Sequence, residues 1–171
     1  MTSGKKPIVS IVMGSDSDWP VMKACHETLD AFEVAHEVRV LSAHRSPEAT
    51  ATFAREAEDC GVQVLIAAAG MAAHLAGVLA AHSTLPVIGV PLASGALQGV
   101  DALLATVQMP PGIPVATVGI GAAGAKNAAL LAVQILARGD GELSKKFAQH
   151  KAQLVEGVEQ KNRKLQDELR G

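Results

Sequence analysis

The chain alternates five short apolar runs, rich in β-branched residues, with segments of helical periodicity. The runs cover residues 8–13, 34–41, 62–67, 87–90 and 115–118, and the helical segments cover residues 20–32, 46–60, 72–82, 99–107 and 123–138. Strands that are buried on both faces of a parallel sheet appear as nearly continuous apolar runs. The alternation therefore predicts a three-layer, doubly wound α/β domain over residues 1–139.

Turn and cap residues mark the ends of these elements. Ser46, Pro47 and Glu48 form a helix-start signal, and Gly61 follows the expected end of the same helix. The run at 34–41 is the only one in which apolar and polar residues alternate, which predicts a strand at the edge of the sheet.

Residues 140–171 form a different segment, predicted to be one charged amphipathic helix appended to the domain. Its apolar residues follow one another at spacings of 4, 7, 4, 7 and 4: Leu143, Phe147, Leu154, Val158, Leu165 and Leu169. An 11-residue repeat keeps one apolar stripe aligned on a nearly straight helix. Such a helix either folds back on its own domain or packs against a neighbouring subunit. Its length and narrow stripe favour intersubunit packing.

Charge is almost missing from the middle of the chain. Between Cys60 and Ala137 the only charged residues are Asp101 and Lys126. Such a stretch is either embedded in a membrane or buried by other subunits. A spanning helix needs about 20 predominantly apolar residues, and here glycines, prolines and His74 interrupt every window. We therefore expect a homo-oligomer and no membrane, with Asp101 and Lys126 at interfaces or helix ends.

Composition argues against several other classes of protein. The chain has 15 basic and 17 acidic residues and only 2% aromatics, so it lacks the basic face and stacking platforms that nucleic-acid binding needs. Residues 1–7 do not resemble a signal peptide. Cys25 and Cys60 have no metal-ligand spacing, which predicts two reduced core thiols in a cytoplasmic protein.

Ligands of open α/β sheets bind at the carboxyl ends of the strands, and three of these ends carry polar or glycine-rich turns. The first turn, residues 14–20, has neither a dinucleotide fingerprint nor a P-loop. Its carboxylates suit the hydroxyl groups of a ribose. Helix capping by Ser17 or Asp18 is the structural alternative, but it accounts for one polar side chain only. We favour ligand contacts for Ser15 and Asp18.

The second turn, residues 42–47, is electropositive. Arg45 offers a planar fork of donors, Ser42 and Ser46 add hydroxyl groups, and the following helix start adds backbone N–H groups. This combination predicts a phosphate site. His44 lies between the two polar turns, and an imidazole can both give and take a proton near neutral pH.

The third turn, residues 67–75, consists mostly of alanine and glycine, which let a flat ring approach the backbone closely. His74 in this turn is either a partly buried structural histidine or a catalytic one. The remaining histidines are expected to be structural and without partners: His26, His36, His82 and His150.

The three turns thus sketch a phosphate site, a ribose site, a ring wall and one proton-transfer residue. No nucleophile with a matching base, no metal cage and no cofactor fingerprint is recognisable. The residues alone indicate an enzyme without a cofactor that acts on a small ribonucleotide by acid–base chemistry.

Six segments resemble the N5-carboxyaminoimidazole ribonucleotide mutase family, more narrowly its class I enzymes of bacterial purine biosynthesis. They are residues 14–20, 42–47, 72–75, 85–91, 107–110 and 114–117. The similarity covers about residues 7–138 in order and with the family's spacing, and residues 140–171 lie outside it.

The resemblance implies flavodoxin-like subunits in a cytoplasmic homo-octamer, with active sites at subunit junctions. It implies an isomerase of de novo purine (IMP) biosynthesis that moves a carboxylate from the exocyclic nitrogen to ring carbon four, giving 4-carboxy-5-aminoimidazole ribonucleotide. Carbon dioxide is released and recaptured in a closed pocket while His44 shuttles the proton, and no metal, ATP or organic cofactor takes part. The residues implied in substrate binding are Ser15, Asp16, Asp18, Ser42, Ala43, Arg45, Ala69, Gly70, Met71, Ala72, His74 and Leu75.

The chain departs from the family pattern in the third turn, where Ala68 and Met71 replace glycines and Ala76 replaces a proline. These changes motivate one alternative, a non-catalytic nucleotide-binding homologue. The other alternative is direct carboxylation of aminoimidazole ribonucleotide by carbon dioxide, as in the class II enzymes. Those typically carry Lys in the second turn and lack the Asp at the third position of the first turn, so Arg45 and Asp16 favour the mutase.

Overall fold

In the computed structural model, residues 6–171 are described; most of the segment considered above as a signal peptide, residues 1–5, lies outside them. The strands are β1 (Val9–Met13), β2 (His36–Val40), β3 (Val64–Gly70), β4 (Val87–Leu92) and β5 (Ala116–Thr117). The helices are α1 (Trp19–Ala31), α2 (Pro47–Glu56), α3 (Leu75–His82), α4 (Val100–Val107), α5 (Gly121–Leu136) and α6 (Gly141–Arg170).

The five strands form one parallel sheet in the order β2-β1-β3-β4-β5. The strand order reverses between β1 and β3, as in doubly wound sheets whose helices cover both faces. This confirms the predicted doubly wound α/β architecture, and it confirms β2 as an edge strand. Every residue of β1 and β4 is buried, in agreement with their continuous apolar sequences.

The carboxyl ends of the strands lie together because the register is regular. Met13 at the end of β1 is level with Val40 of β2 and Ala68 of β3. The core between sheet and helices is aliphatic, with Val12, Leu65 and Leu79 among its fully buried side chains. The turns that follow β1, β2 and β3 therefore lie side by side at one end of the sheet.

Two helix boundaries differ from the sequence-based expectation. Helix α2 ends at Glu56 rather than near residue 60, because residues 57–61 form turns closed by the Gly61 amide on the Glu58 carbonyl. Helix α3 starts at Leu75 rather than at residue 72, because β3 continues to Gly70 and Met71 then adopts a left-handed conformation with φ of 52°.

The chain divides into two compact units, residues 1–132 and 133–171, with the division inside α5. In the second unit, Asp140 caps α6 by accepting hydrogen bonds from the backbone N–H groups of Glu142 and Leu143 at 2.9 and 3.0 Å. Of the six stripe residues, Leu143 is buried, whereas Leu154, Val158, Leu165 and Leu169 are exposed.

The positions of two charged residues and two cysteines bear on the predictions made from the sequence. Asp101 lies in the first turn of α4, and Lys126 is exposed in the second turn of α5. Cys25 is buried, but Cys60 is exposed, so the prediction of two core thiols was wrong for Cys60, which follows the end of α2. Within residues 6–171, no helix combines the length and the apolarity needed to cross a membrane.

Candidate functional site

The turn after β1 forms the first side of a cavity. Ser15 starts a single turn of 3-10 helix, and its Oγ accepts a hydrogen bond from the Ser17 amide at 3.3 Å. The Asp18 carboxylate accepts from the Ser15 amide at 3.1 Å. Capping therefore engages Ser15 and Asp18, the two residues favoured for ligand contacts, while both side chains still line the cavity.

Asp18 occupies an unusual electrostatic position. Burial raises the pKa of its carboxyl above its ordinary value of 3.8, and the nearby Asp16 charge acts in the same direction. The Ser15 amide and Arg45 oppose the rise. Burial has removed water from the Asp18 carboxylate. Ligand hydroxyl groups that donate hydrogen bonds to it would replace that water.

The turn after β2 forms the second side. The Ser42 amide donates to Ser46 Oγ at 3.0 Å, and the Arg45 amide donates to Ser42 Oγ at 3.1 Å. Ser46 thus bonds back to Ser42 rather than capping α2 with its side chain. Ser42 Oγ accepts in this turn, so its own proton remains available to a ligand. Arg45 is exposed beside it.

Two histidines meet at the mouth of the cavity. His44 Nε2 lies 2.7 Å from His74 Nδ1, and the rings stand nearly perpendicular with centroids 4.8 Å apart. His44 comes from the turn after β2, whereas His74 directly precedes α3. Both are exposed, so the partly buried position considered for His74 is wrong. At this distance one ring nitrogen donates a hydrogen bond to the other, and the tautomers of the two rings decide which is the donor.

The turn after β3 forms the third side, and here the backbone comes close to the next strand end. A Cβ atom at Gly70 would overlap the Ser94 hydroxyl, so only glycine fits without rearrangement. Met71 follows with its side chain exposed. The small side chains of this turn leave room for a flat ring to approach the backbone closely.

These turns enclose a cavity of about 250 Å³ at the carboxyl edge of the sheet. The structure brings together every residue implied in binding or catalysis except Asp16. Those that line the cavity are Ser15, Asp18, Ser42, Ala43, His44, Arg45, Ala69, Gly70, Met71, Ala72, His74 and Leu75. Asp16 is exposed, and its Oδ1 accepts from Ser15 Oγ at 3.2 Å instead.

Three further residues line the cavity that the sequence analysis did not select: Gly14, Ser17 and Ser94. Ser94 follows β4, a fourth strand end at the same edge. The rule that ligands bind at carboxyl ends of strands was applied to three turns only, and extending it to residues 93–95 would have found Ser94.

The fold and the cavity define a flavodoxin-like α/β protein with a polar pocket beside the switch point of its sheet. The model of the AIR carboxylase family matches residues 8–156. The chain belongs to this family.

Relatives with curated descriptions agree with one another. The chain is 58% identical to the N5-carboxyaminoimidazole ribonucleotide mutase of Pyrococcus abyssi over 145 residues, which cover 85% of this chain and 82% of that protein. It is 53% identical to the protein of the same name from Escherichia coli, over 93% of this chain and 95% of that one. Among solved structures, Treponema denticola PurE aligns with a TM-score of 0.84 and 28% identity, covering 93% of this chain and 98% of that chain.

Proposed function

We propose that the protein converts N5-carboxyaminoimidazole ribonucleotide to 4-carboxy-5-aminoimidazole ribonucleotide, an isomerisation of purine biosynthesis. The family model carries the name of a carboxylase, whereas relatives that share half or more of their residues with the chain are named mutases. We give greater weight to the relatives because they cover most of this chain at high identity. Arg45 and Asp16 favour the same choice.

The observation that carries the proposal is the His44–His74 contact inside the cavity. In the reaction, the bond between the exocyclic nitrogen and the carboxylate breaks and releases carbon dioxide. Ring carbon four then bonds to that carbon dioxide and loses its proton, and the nitrogen gains one. Atoms and charge balance without a further reactant, provided that one group carries the proton between the two positions.

His44 is the proposed carrier, and His74 is the proposed partner that shares its proton. Their 2.7 Å separation lets a proton pass between Nε2 of His44 and Nδ1 of His74. Asp18 would accept hydrogen bonds from the ribose, and Arg45 with the free Ser42 hydroxyl proton would bind the phosphate. The wall formed by residues 69–72 would hold the ring.

We further propose that the protein works as a cytoplasmic homo-octamer with sites at subunit junctions. Large apolar side chains are exposed on α4 at Val100, Leu104 and Val107, and others on α6. A soluble monomer rarely leaves such sets uncovered. The cavity is also slightly smaller than the roughly 300–1,000 Å³ usual for ligand sites, as expected if a neighbouring subunit adds a wall.

A comparison of two substrates tests the reaction. Purified protein without ATP is mixed either with N5-carboxyaminoimidazole ribonucleotide or with aminoimidazole ribonucleotide plus a low concentration of bicarbonate, and absorbance of the product is followed. The mutase proposal expects turnover of the first substrate only. Turnover of the second would identify a direct carboxylase, and tight binding without turnover of either would identify a non-catalytic homologue.

His44→Asn tests the assigned role. We expect loss of at least about 100-fold in kcat, the usual contribution of a general acid–base residue, with little change in ligand binding measured by calorimetry. His82→Asn is the matched control because His82 is exposed at the end of α3 and does not line the cavity. An active His44→Asn protein would refute the role.

A further inference from the structure

A second group of histidines lies at the amino ends of β1 and β2, whereas the cavity lies at the carboxyl ends of the strands. His26 and Asp30 are one turn apart on α1, and His36 is the first residue of β2, level with Val9 at the start of β1. His26 Nδ1 lies 2.7 Å from His36 Nε2. The expectation that these two histidines have no partners was therefore wrong.

The outer nitrogen of each ring also lies near an acceptor. His36 Nδ1 lies 2.8 Å from the Val34 carbonyl oxygen, and a carbonyl can only accept, so His36 Nδ1 carries a proton and His36 Nε2 presents a lone pair to His26. His26 Nε2 lies 3.3 Å from an Asp30 carboxylate oxygen. In the tautomer with a proton on His26 Nε2, both inner nitrogens present lone pairs to the space between them, which is the arrangement that a bound metal ion requires.

We propose that His26, Asp30 and His36 form a binding site for a divalent transition metal, with Zn²⁺ as the ion of choice. His26 Nδ1 and His36 Nε2 are the ligands, water completes the coordination shell, and Asp30 orients the His26 ring through Nε2. Donation of the second ring N–H to a carboxylate or a backbone carbonyl is the usual setting of metal-binding histidines. Candidate ligand atoms of the three residues lie within 4.8 Å of one another.

Only small movements separate this arrangement from a coordinated one. Two nitrogens bound to a tetrahedral Zn²⁺ at about 2.0–2.1 Å lie about 3.3 Å apart. The present 2.7 Å separation must therefore widen by about 0.6 Å, which side-chain rotation provides because His26 and Asp30 are partly exposed. Because ligand nitrogens must be free of protons, metal binding would displace any proton held between the two rings.

The bound ion would link α1 to the start of β2, across the turn at residues 32–35. It would therefore stabilise the folded state by an amount that grows with the logarithm of its concentration above Kd. The site is independent of the proposed catalytic function, because none of its three residues lines the catalytic cavity.

Trp19, the only tryptophan in the chain, reports on this site directly. Its ring centroid lies 5.5 Å from that of His26, close enough for a paramagnetic ion there to quench its fluorescence. Metal-free protein is titrated with Ni²⁺, then with Zn²⁺ as competitor. We expect saturable quenching at one ion per chain, reversal by Zn²⁺, no effect of Mg²⁺, and a higher Tm with Zn²⁺.

Variants separate this site from other histidines. His26→Asn and His36→Asn should weaken Ni²⁺ binding at least about tenfold, and Asp30→Asn should weaken it by a similar factor. His82→Asn should bind as the unaltered protein does. His74→Asn removes the pair in the catalytic cavity and should leave the Trp19 signal intact.

Circular dichroism without metal confirms that each variant is folded. Absence of quenching in the unaltered protein overturns the proposal, whatever the variants do. Equal affinity in His26→Asn, His36→Asn and the unaltered protein overturns it as well, and would assign the short contact to a shared proton alone.

Discussion

At the turn after β1, the same two side chains serve the fold and the cavity. Ser15 and Asp18 satisfy backbone donors of the 3-10 turn, yet both face the cavity. Capping and ligand binding are thus compatible, because a carboxylate has two oxygens and a hydroxyl group can accept and donate at once. From the sequence the two functions look like alternatives; they coincide because the turn caps itself through the same side chains that line the cavity.

Asp18→Asn should stabilise the free protein at neutral pH. The pKa of Asp18 is raised by burial, so the folded state binds its proton more tightly than the unfolded state does. Stability is then lost as pH rises from 3.8 through the folded pKa. Removing the charge abolishes this loss, so Tm at pH 7 should rise and the gain should shrink as the pH falls toward 3.8.

Asp16→Asn is the control. Asp16 is exposed and lies outside the cavity lining, so removal of its charge should give a smaller gain in Tm. If Asp18 also binds the ribose as proposed, kcat/KM falls in Asp18→Asn while Tm rises. A lower Tm for Asp18→Asn at pH 7 would contradict the burial argument.

Met71→Gly should also stabilise the protein, for a reason of backbone conformation. A left-handed conformation costs an L-residue about 1–2 kcal/mol, and Met71 adopts one with φ of 52°. The greater unfolded-state entropy of glycine offsets about 0.4–1 kcal/mol. The net gain expected in urea denaturation is about 0–1.6 kcal/mol. Met71→Ala keeps the Cβ atom and the strain, and should give no gain.

The existence and order of the elements could be predicted because four of the five strands are nearly continuous apolar runs and the segments between the strands have helical periodicity. The boundaries that moved, at α2 and α3, depend on backbone conformations at Gly61 and Met71 that local propensity does not encode. The His26–His36 contact joins two elements. An i, i+4 spacing of His26 and Asp30 was visible, but the arrival of His36 beside them was not.

The edge strand β2 is held to β1 by a polar link that the sequence did not reveal. Ser10 is fully buried in β1 and its Oγ donates to Glu37 Oε1 at 2.7 Å. Arg39 binds the other carboxylate oxygen at 2.8 Å. Burial acts to raise the pKa of Glu37, but the hydrogen bonds from Arg39 and Ser10 outweigh it, and the pKa is lowered.

Glu37→Ala should therefore cost about 1–3 kcal/mol of unfolding free energy, since it leaves the Ser10 hydroxyl buried without an acceptor. Glu37→Gln retains an oxygen acceptor and should cost less, and Ser10→Ala combined with Glu37→Ala should recover part of the loss. Because the folded pKa is lowered, the stabilisation is present above 4.5 and is lost as pH falls through the folded value. Additive effects in this double-mutant cycle would contradict the link.

At the scale of the whole molecule, the scarcity of charge from residue 60 to 137 corresponds to apolar side chains that the single chain leaves exposed. Val100, Leu104 and Val107 are spaced to share one face of α4, and all three are exposed. The second unit exposes an apolar set of its own, the stripe on the charged helix α6. Composition predicted such surfaces but could not locate them, because their position depends on which face of each helix the sheet covers.

Glutamate on the α6 stripe should weaken the assembly we propose. In the combined variant Leu154→Glu and Val158→Glu, two exposed apolar side chains are replaced by charges that a subunit interface would have to desolvate. Light scattering should then show a smaller particle at a concentration where the unaltered protein stays assembled.

Gln153→Glu with Gln160→Glu adds the same charge to exposed polar positions that lie roughly opposite the stripe on a regular helix, and it should leave the mass unchanged. Equal masses for all three proteins would exclude the stripe from the interface, and a monomeric unaltered protein would refute the assembly itself.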